Sequence, residues 1–339
     1  MSQERKKAPT MADVARLAGV SSMTVSRALR ADAPASAETR RKIQEAADEL
    51  GYVLNSTAAG LSSRKTGFIA VTIPSINNSN FADTVRGLTE GLKDVNLQVL
   101  LGYTDYDMNA EEKLIESMLR RRPEALVVTG GSHTGRARRL MANAGIPVVE
   151  MWDLPEKPIG HVVGFSNRET SQAMCRRLYE KGYRRIGYIG GASSRDTRGA
   201  DRRRGYEEAM RELGCDPRVT AFGDPPITMR QGGGALAQML ERWPDIDAVI
   251  CVSDLSAFGA LCECQRRGLR VPQDIAIAGF GNYDLADCAV PSLTTVEVHA
   301  ERIGRRTAEL VLERLTGENP DSAPVTSLMD FQIIERESA

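Results

Sequence analysis

The stretch TMADVARLAGVSSMTVSRALR, residues 10–30, decides how the front of this chain folds. Thr10 and Asp13 stand at capping-box spacing, where the hydroxyl takes a free amide at a helix start and the carboxylate returns the favour. Val14, Leu17 and Ala18 follow as an apolar stripe at helical spacing, and Gly19 supplies a turn residue that adopts positive φ. Ser21 can cap a second helix through Leu29. Ser36 can cap a third, SAETRRKIQEAADEL, with Ile43, Ala46, Ala47 and Leu50 recurring on one face. Ala15, Gly19 and Val25 fall at spacings of four and six, which suit a helix-turn-helix. In the second helix Val25, Ala28 and Leu29 point inward while Ser22, Met23, Ser26 and Arg27 point outward. Such a face can place Arg on guanine edges, hydroxyls on phosphates and Met against thymine methyls. A small helical bundle with Arg27 as a solvated charge has the same spacing.

Outward from this head, residues 53–66 (VLNSTAAGLSSRKT) are small and polar. They read as a linker, or as a segment that becomes helical only on binding. From Phe68 the pattern changes to short apolar runs at 68–73, 97–101, 125–129, 147–151, 185–190, 247–252 and 274–280. Helical patterns lie between them at 81–94, 110–121, 134–144, 168–181, 201–213, 228–241 and 254–267, with a last helix at 300–315 and a final strand near 327–334. Short continuous apolar strands separated by helices predict parallel sheet covered on both faces. The fold class expected is therefore a small all-α helix-turn-helix head on an α/β body of two doubly wound parallel-sheet lobes. The boundaries expected are 1–54 for the head and 55–66 for the hinge. The N-terminal lobe is expected at 67–165 plus about 296–325, and the C-terminal lobe at 166–295 plus about 326–339.

Composition narrows the class further. With 339 residues, 42% hydrophobic and 26% charged, the chain suits two or three globular domains and excludes a disordered, collagenous or disulfide-scaffold protein. No apolar run approaches the roughly 20 residues of a membrane helix, and MSQERKKAPT is no secretory signal, so a cytoplasmic location is expected. Six scattered cysteines and three histidines offer no paired metal-ligand spacing, so neither metal nor cofactor is expected. The net charge of −1 hides an asymmetry: residues 1–65 hold 11 Lys/Arg against 7 Asp/Glu, and the other 274 hold 33 against 38. A basic head precedes an acidic body.

With these residues in place, the chain is identified as a member of the LacI/GalR family. TMADVARLAGVSSMTVSRALR, SAETRRKI, ELGYVLN and Ala58-x-x-Leu61 resemble its DNA-binding head. IPSINNSNF, GIPVVEMWD, KGYRRIGYIGG, SDLSAFGA, RGLRVPQDIAIAGF and PSLTTV resemble blocks of its body. Within the family it is most similar to the gluconate-operon repressors, through MTVSR, ESML, SHT and ECQRRGLRVP. The resemblance implies a homodimer on a pseudo-palindromic operator, its two recognition helices in successive major grooves. It makes Ser22, Met23 and Arg27 base readers, and Ser21, Thr24, Ser26, Tyr52 and Asn55 phosphate contacts. Ala58 and Leu61 fall on the hinge helix, whose Leu wedges into the minor groove.

For the body the resemblance implies a periplasmic-binding-protein-like cleft with a ligand between strand ends and helix starts. By position it offers Ser75, Asn78 and Phe81 from the first lobe, and Arg195, Arg202, Ser253, Asp254 and Asn282 from the second. Where relatives that take neutral ligands commonly carry Asp after the GF pair, this chain has Gly281 followed by Asn282. Loss of a carboxylate there, with Arg195 and Arg198 added to Arg202, suits an anionic sugar acid. Gluconate acting as inducer is expected; 6-phosphogluconate, keto-gluconate and a corepressor response remain open. An enzyme is disfavoured, since no GxxxxGK[ST] phosphate loop, no GxGxxG behind the first strand and no GxSxG elbow occurs. Gly232-Gly233-Gly234 reads as a weak helix start. A secreted sugar-binding protein is disfavoured by the attached head. The absence of a heptad tail after FQIIERESA favours a dimer over a tetramer.

Overall fold

A computed structural model describes residues 8–29, 36–53, 66–191, 195–224, 227–317 and 323–339. The chain divides into two compact units, Met1–Thr66 and Gly67–Ala339.

In the head, α1 (Met11–Ala18), α2 (Ser22–Ala28) and α3 (Ala37–Leu50) enclose a core of Val14, Ala15, Val25, Ala28, Ile43, Ala46 and Ala47. The Asp13 carboxylate accepts from both the backbone amide and the hydroxyl of Thr10. Gly19 ends α1 at φ 67, where a side chain would be strained, and releases the chain into α2 after two residues. Ser21 and Ser36 cap α2 and α3 by accepting from the Thr24 and Thr39 amides. Arg40 Nη1 donates to the Ala28 carbonyl at 2.8 Å and ties α3 to the end of α2. Residues 54–65, which hold Asn55, Ala58 and Leu61 of the expected hinge, lie outside the described residues.

In the body, β1 (Phe68–Ile73), α4 (Ser79–Gly91), β2 (Gln98–Tyr103), α5 (Met108–Leu119), β3 (Leu126–Thr129), α6 (Gly135–Ala142), β4 (Val148–Met151) and β5 (His161–Gly164) alternate as a first lobe. A second lobe follows: α7 (Asn167–Glu180), β6 (Ile186–Gly190), α8 (Thr197–Glu212), β7 (Arg218–Ala221), α9 (Met229–Arg242), β8 (Ala248–Cys251), α10 (Asp254–Arg266), β9 (Ala276–Ala278) and the short α11 (Asp284–Cys288). The chain then runs through β10 (Thr295–Glu297), α12 (Ala300–Leu315), β11 (Thr326–Leu328) and β12 (Gln332–Ile334).

The first sheet is parallel in the order β11-β5-β4-β3-β1-β2, and the second in the order β7-β6-β8-β9. In each, the strand order reverses beside the first strand of its lobe, between β1 and β3 and between β6 and β8. Such reversals open a crevice at the carboxyl ends of the strands. The central strands are buried on both faces, which is why they read as unbroken apolar runs.

Three features depart from the sequence reading. The strands at His161–Gly164, Arg218–Ala221 and Thr295–Glu297 were not expected; with three or four residues each, they leave too short a pattern to read. The single final strand near 327–334 is two strands. β11 pairs with β5 in the first sheet, whereas β12 runs antiparallel to β10. Thr326–Leu328, assigned to the second lobe, therefore belongs to the first sheet, and the chain leaves it between Leu328 and Gln332. The glycine run, read only as a weak helix start, lies in the opening turns of α9 and also forms its contact with α10. A Cβ on Gly232 would run into the Ser256 backbone, and one on Gly259 into the Met229 carbonyl. The missing side chains let the two helices pack backbone against backbone.

Candidate functional site

On the head, the capping of α2 fixes which side chains face out. Val25 and Ala28 go to the core, leaving Ser22, Met23 and Arg27 exposed, with Met23 at 68%. Thr24 and Ser26 are half-buried. Ser21 and Thr24 share a hydroxyl–hydroxyl hydrogen bond of 2.9 Å at the start of the helix. Tyr52 packs partly against the head core, just past Gly51. A helix start with free amides and hydroxyls, followed by Met and Arg on one face, can meet phosphates at one end and base edges along its length.

In the body, a cavity of about 120 Å³ opens where the two crevices meet. At roughly 10–15 Å³ per water-sized group, it holds about eight to twelve such groups, the size class of a single small sugar. The first-lobe wall comes from the turn after β1 and the start of α4: Ser75, Asn77, Asn78, Asn80 and Phe81, joined by Tyr106 and Trp152. Ser75 Oγ accepts from the Asn77 amide, and Asn78 caps α4 by accepting from the Asn80 amide. Phe81 meets Trp152 edge-on at 5.2 Å, and Trp152 Nε1 donates to Thr84 Oγ1 on α4. Tyr106 enters from a turn in which Asp105 and Tyr106 both take left-handed φ, of 52° and 57°. Burial and then the nearby Asp196 carboxylate push its phenol up to about 12, so it stays a hydroxyl.

Among the described residues, the second-lobe wall supplies three charged groups that line the cavity: Asp196, Arg198 and Arg202. Asp196 caps α8 through Oδ1, accepting from the Gly199 amide at 3.0 Å. Arg202 Nη1 donates to Asn167 Oδ1 at 2.5 Å, and its guanidinium lies 4.2 Å over the Phe280 ring. Its Nε is buried with no hydrogen-bond partner. Arg198 is 6% exposed and reaches the Thr129 carbonyl of the first lobe at 3.4 Å. Ile227, Thr228, Val252, Ser253, Leu255, Phe280 and Tyr283 complete the described wall.

Among the residues expected to hold ligand, the cavity brings together Ser75, Asn78, Phe81, Arg202 and Ser253. Three others lie elsewhere. Asp254 is fully buried behind the wall, where its oxygens accept from Thr295 Oγ1 at 2.6 Å and the Tyr283 amide at 2.8 Å. Burial pushes its carboxyl up to about 6. Asn282 spends its amide on Glu297 and Arg336, at 2.6 and 2.8 Å. Arg195 faces a smaller recess of about 30 Å³ alongside, and its guanidinium donates across the cleft to the Asp105 and Tyr106 carbonyls. It ties lobe to lobe instead of lining the cavity. Gly281 also has a different meaning: at φ 124, a Cβ there would strike the Tyr283 ring and Asn80. Its bareness is a steric requirement, so the charge reading rests on Arg198 and Arg202.

The missed residues, Tyr106, Trp152, Asp196 and Tyr283, come from four separate loops. Only Asp196 left a signal in the sequence, a cap residue three before Gly199 at a helix start. Among the described residues, no group of three or more His, Cys, Asp or Glu is placed to hold a metal, and no helix is long and apolar enough to cross a membrane.

Residues 10–55 match the family described as "Bacterial regulatory proteins, lacI family", and residues 175–339 match "Periplasmic binding protein-like domain". The chain is 38% identical over 331 residues to the HTH-type transcriptional regulator GntR of Pseudomonas aeruginosa, covering 97% of this chain and 95% of that one. Among solved structures, a LacI-family transcriptional regulator from Silicibacter pomeroyi superposes with a TM-score of 0.91 at 34% identity, over 97% of this chain and 99% of that one. The transcription regulator GntR from Chromobacterium violaceum gives 0.72 at 34% identity, over 80% and 98%.

Proposed function

The chain belongs to the LacI family of DNA-binding transcriptional regulators, and from that premise we propose that a small sugar acid, gluconate, sets its affinity for operator DNA. One observation carries this reading: two guanidinium groups line one small cavity, and their hydrogen bonds there go to neutral oxygens. Arg202 Nη1 is held by the neutral Asn167 amide oxygen, and the Arg198 contact to Thr129 is a long bond to a neutral carbonyl. A guanidinium bonded only to neutral oxygens gains from a ligand carboxylate, since carboxylate–guanidinium pairs are the strong ones. With Asp196 the charge of the described lining residues sums to +1, the complement of a monoanion. The similarity to GntR regulators over nearly the whole chain supports the same reading.

Gluconate acts as inducer in this scheme. Ligand draws the lobes together around the Arg195 and Arg198 bridges, and the altered first lobe disfavours the paired hinge segments that operator binding requires. The working form is a homodimer. The edge strand β2 and its surroundings leave Leu101, Tyr103 and Ile76 exposed, an apolar rim that a second copy would cover. Titration calorimetry of the full chain with gluconate, followed by an operator mobility shift, tests both steps. Heat of binding with release of DNA is expected. No binding sinks the ligand, and tightened DNA binding reverses the sign.

A further inference from the structure

The cavity holds one charge that a plain anion receptor does not need. Asp196 sits beside the arginines with its side chain 16% exposed and its Oδ2 4.0 Å from Arg202 Nη2. That gap is beyond hydrogen-bond range, so the two charges attract without a hydrogen bond between them and each keeps hydrogen-bonding capacity for a ligand. Oδ1 is already engaged by the Gly199 amide, which pins the carboxylate in place and leaves Oδ2 for a ligand. Position 199 must be glycine for this, because a Cβ there would overlap Oδ2. Among the described residues lining the cavity, Asp196 is the only carboxylate.

An α-hydroxy acid carries the matching pattern on two adjacent carbons. Its carboxylate accepts from the guanidinium, and the hydroxyl on the second carbon donates to a carboxylate beside it. We propose that Asp196 reads the second carbon of the ligand, admitting 2-hydroxy acids and rejecting 2-keto acids. The proposal rests on the sugar-acid reading above and refines it. An ionised carboxylate accepts and never donates. A keto oxygen at that carbon therefore turns lone pairs on Asp196, while a 2-deoxy acid merely leaves Oδ2 without its partner. Serine or tyrosine at the same place would tolerate either ligand by rotating the hydroxyl. A site built around a fixed acceptor discriminates far more sharply than one that relies on size.

The test is titration calorimetry of the full chain, as the natural protein and as Asp196→Asn, with D-gluconate, 2-deoxy-D-gluconate and 2-keto-D-gluconate. Asparagine caps a helix as well as aspartate does, so the variant should melt where the natural protein melts. It can also turn an N–H toward the second carbon. The natural protein should bind gluconate at least about tenfold more tightly than the 2-keto acid, with the 2-deoxy acid between them. Asp196→Asn should close that gap to within about threefold, weakening gluconate and improving the 2-keto acid. Arg202→Ala should weaken all three acids alike, separating the carboxylate clasp from the reading of the second carbon. Equal affinity for gluconate and the 2-keto acid, or an unchanged ratio in Asp196→Asn, overturns the proposal and leaves the sugar-acid reading standing. If none of the three acids binds, both fall together.

Discussion

In the head, the side chains expected to meet DNA stand in water over a core that, among the described residues, is entirely apolar. In the body the arrangement is inverted. Arg198, Arg202, Asp196 and Tyr106 are shut into a cleft, and further buried polar groups such as Asp254 and Glu150 support the walls. The contrast follows from the ligands proposed. A duplex brings its own charged surface and is met by a face; a small acid must be stripped of water and is met by a cavity whose donors are fixed beforehand. A surface reader tolerates mutation without unfolding, whereas a buried receptor couples recognition to the packing of two lobes.

The largest expected effects are a pair that separates the two regions. Arg202→Ala should weaken gluconate binding by about a hundredfold, on the order of 3 kcal/mol for a buried charge-assisted pair, while operator binding in the absence of ligand stays as it was. Leu61→Ala, on the hinge segment, should do the reverse: strong loss in a mobility shift with unchanged calorimetry. If either substitution moves both readouts equally, the two regions are not separable. Next comes Arg27→Ala, expected to cost about 1–3 kcal/mol at one base pair and to flatten sequence preference there; selection from a randomised operator pool reads this directly. Salt offers a further cut. In the proposed dimer, two heads of net +4 each should make operator affinity fall steeply with ionic strength, while the interior site responds far less.

The same contrast explains what the sequence disclosed. The head was legible because it is local: Thr10 with Asp13, Gly19, and the alternation of Val25 and Ala28 with Met23 and Arg27 all lie within twenty residues. The alternation of strand and helix in the body was legible for the same reason. The cavity was legible only where a site residue sits directly after a readable strand, as Ser75 and Ser253 do, or inside a strong block, as Arg202 does. Tyr106 and Trp152 depend on loops in left-handed conformation, and Trp152 itself has φ 71. Neither leaves a spacing to read. Asp254 and Asn282 stand at the right places in the chain, but their side chains turn to Thr295, Glu297 and Arg336, partners brought in by a crossover that sequence spacing does not display.

The smallest effect expected on binding is also a way to sharpen the contrast, through pH. Behind the cleft, His133 Nδ1 lies 2.7 Å from Glu111 Oε2, and Nε2 lies 3.6 Å from Glu150 Oε1, with the imidazole wholly buried. Burial alone would depress this histidine; the hydrogen bond to Glu111 and the attraction of Glu150 outweigh it and hold it up at about 9. A histidine raised in the folded state stabilises fully below its unfolded value near 6.5, and that contribution disappears as pH rises through about 9. The body should therefore melt several degrees lower at pH 8 than at pH 6.5, a window below the ionisation of unfolded thiols, since about 1 kcal/mol shifts a domain of this size by roughly 2–4 °C. His133→Gln should melt lower at pH 6.5 and lose the slope across that window, because its amide carries no proton to give up. The described part of the head buries no ionisable side chain, and its shifted carboxylates, Asp13 and Glu38, are lowered and so titrate below this range. Its unfolding should be flat where that of the body slopes. Differential scanning calorimetry that shows both transitions sliding together, or a slope surviving in His133→Gln, would place the titrating group elsewhere and remove the buried imidazolium as the difference between the two regions.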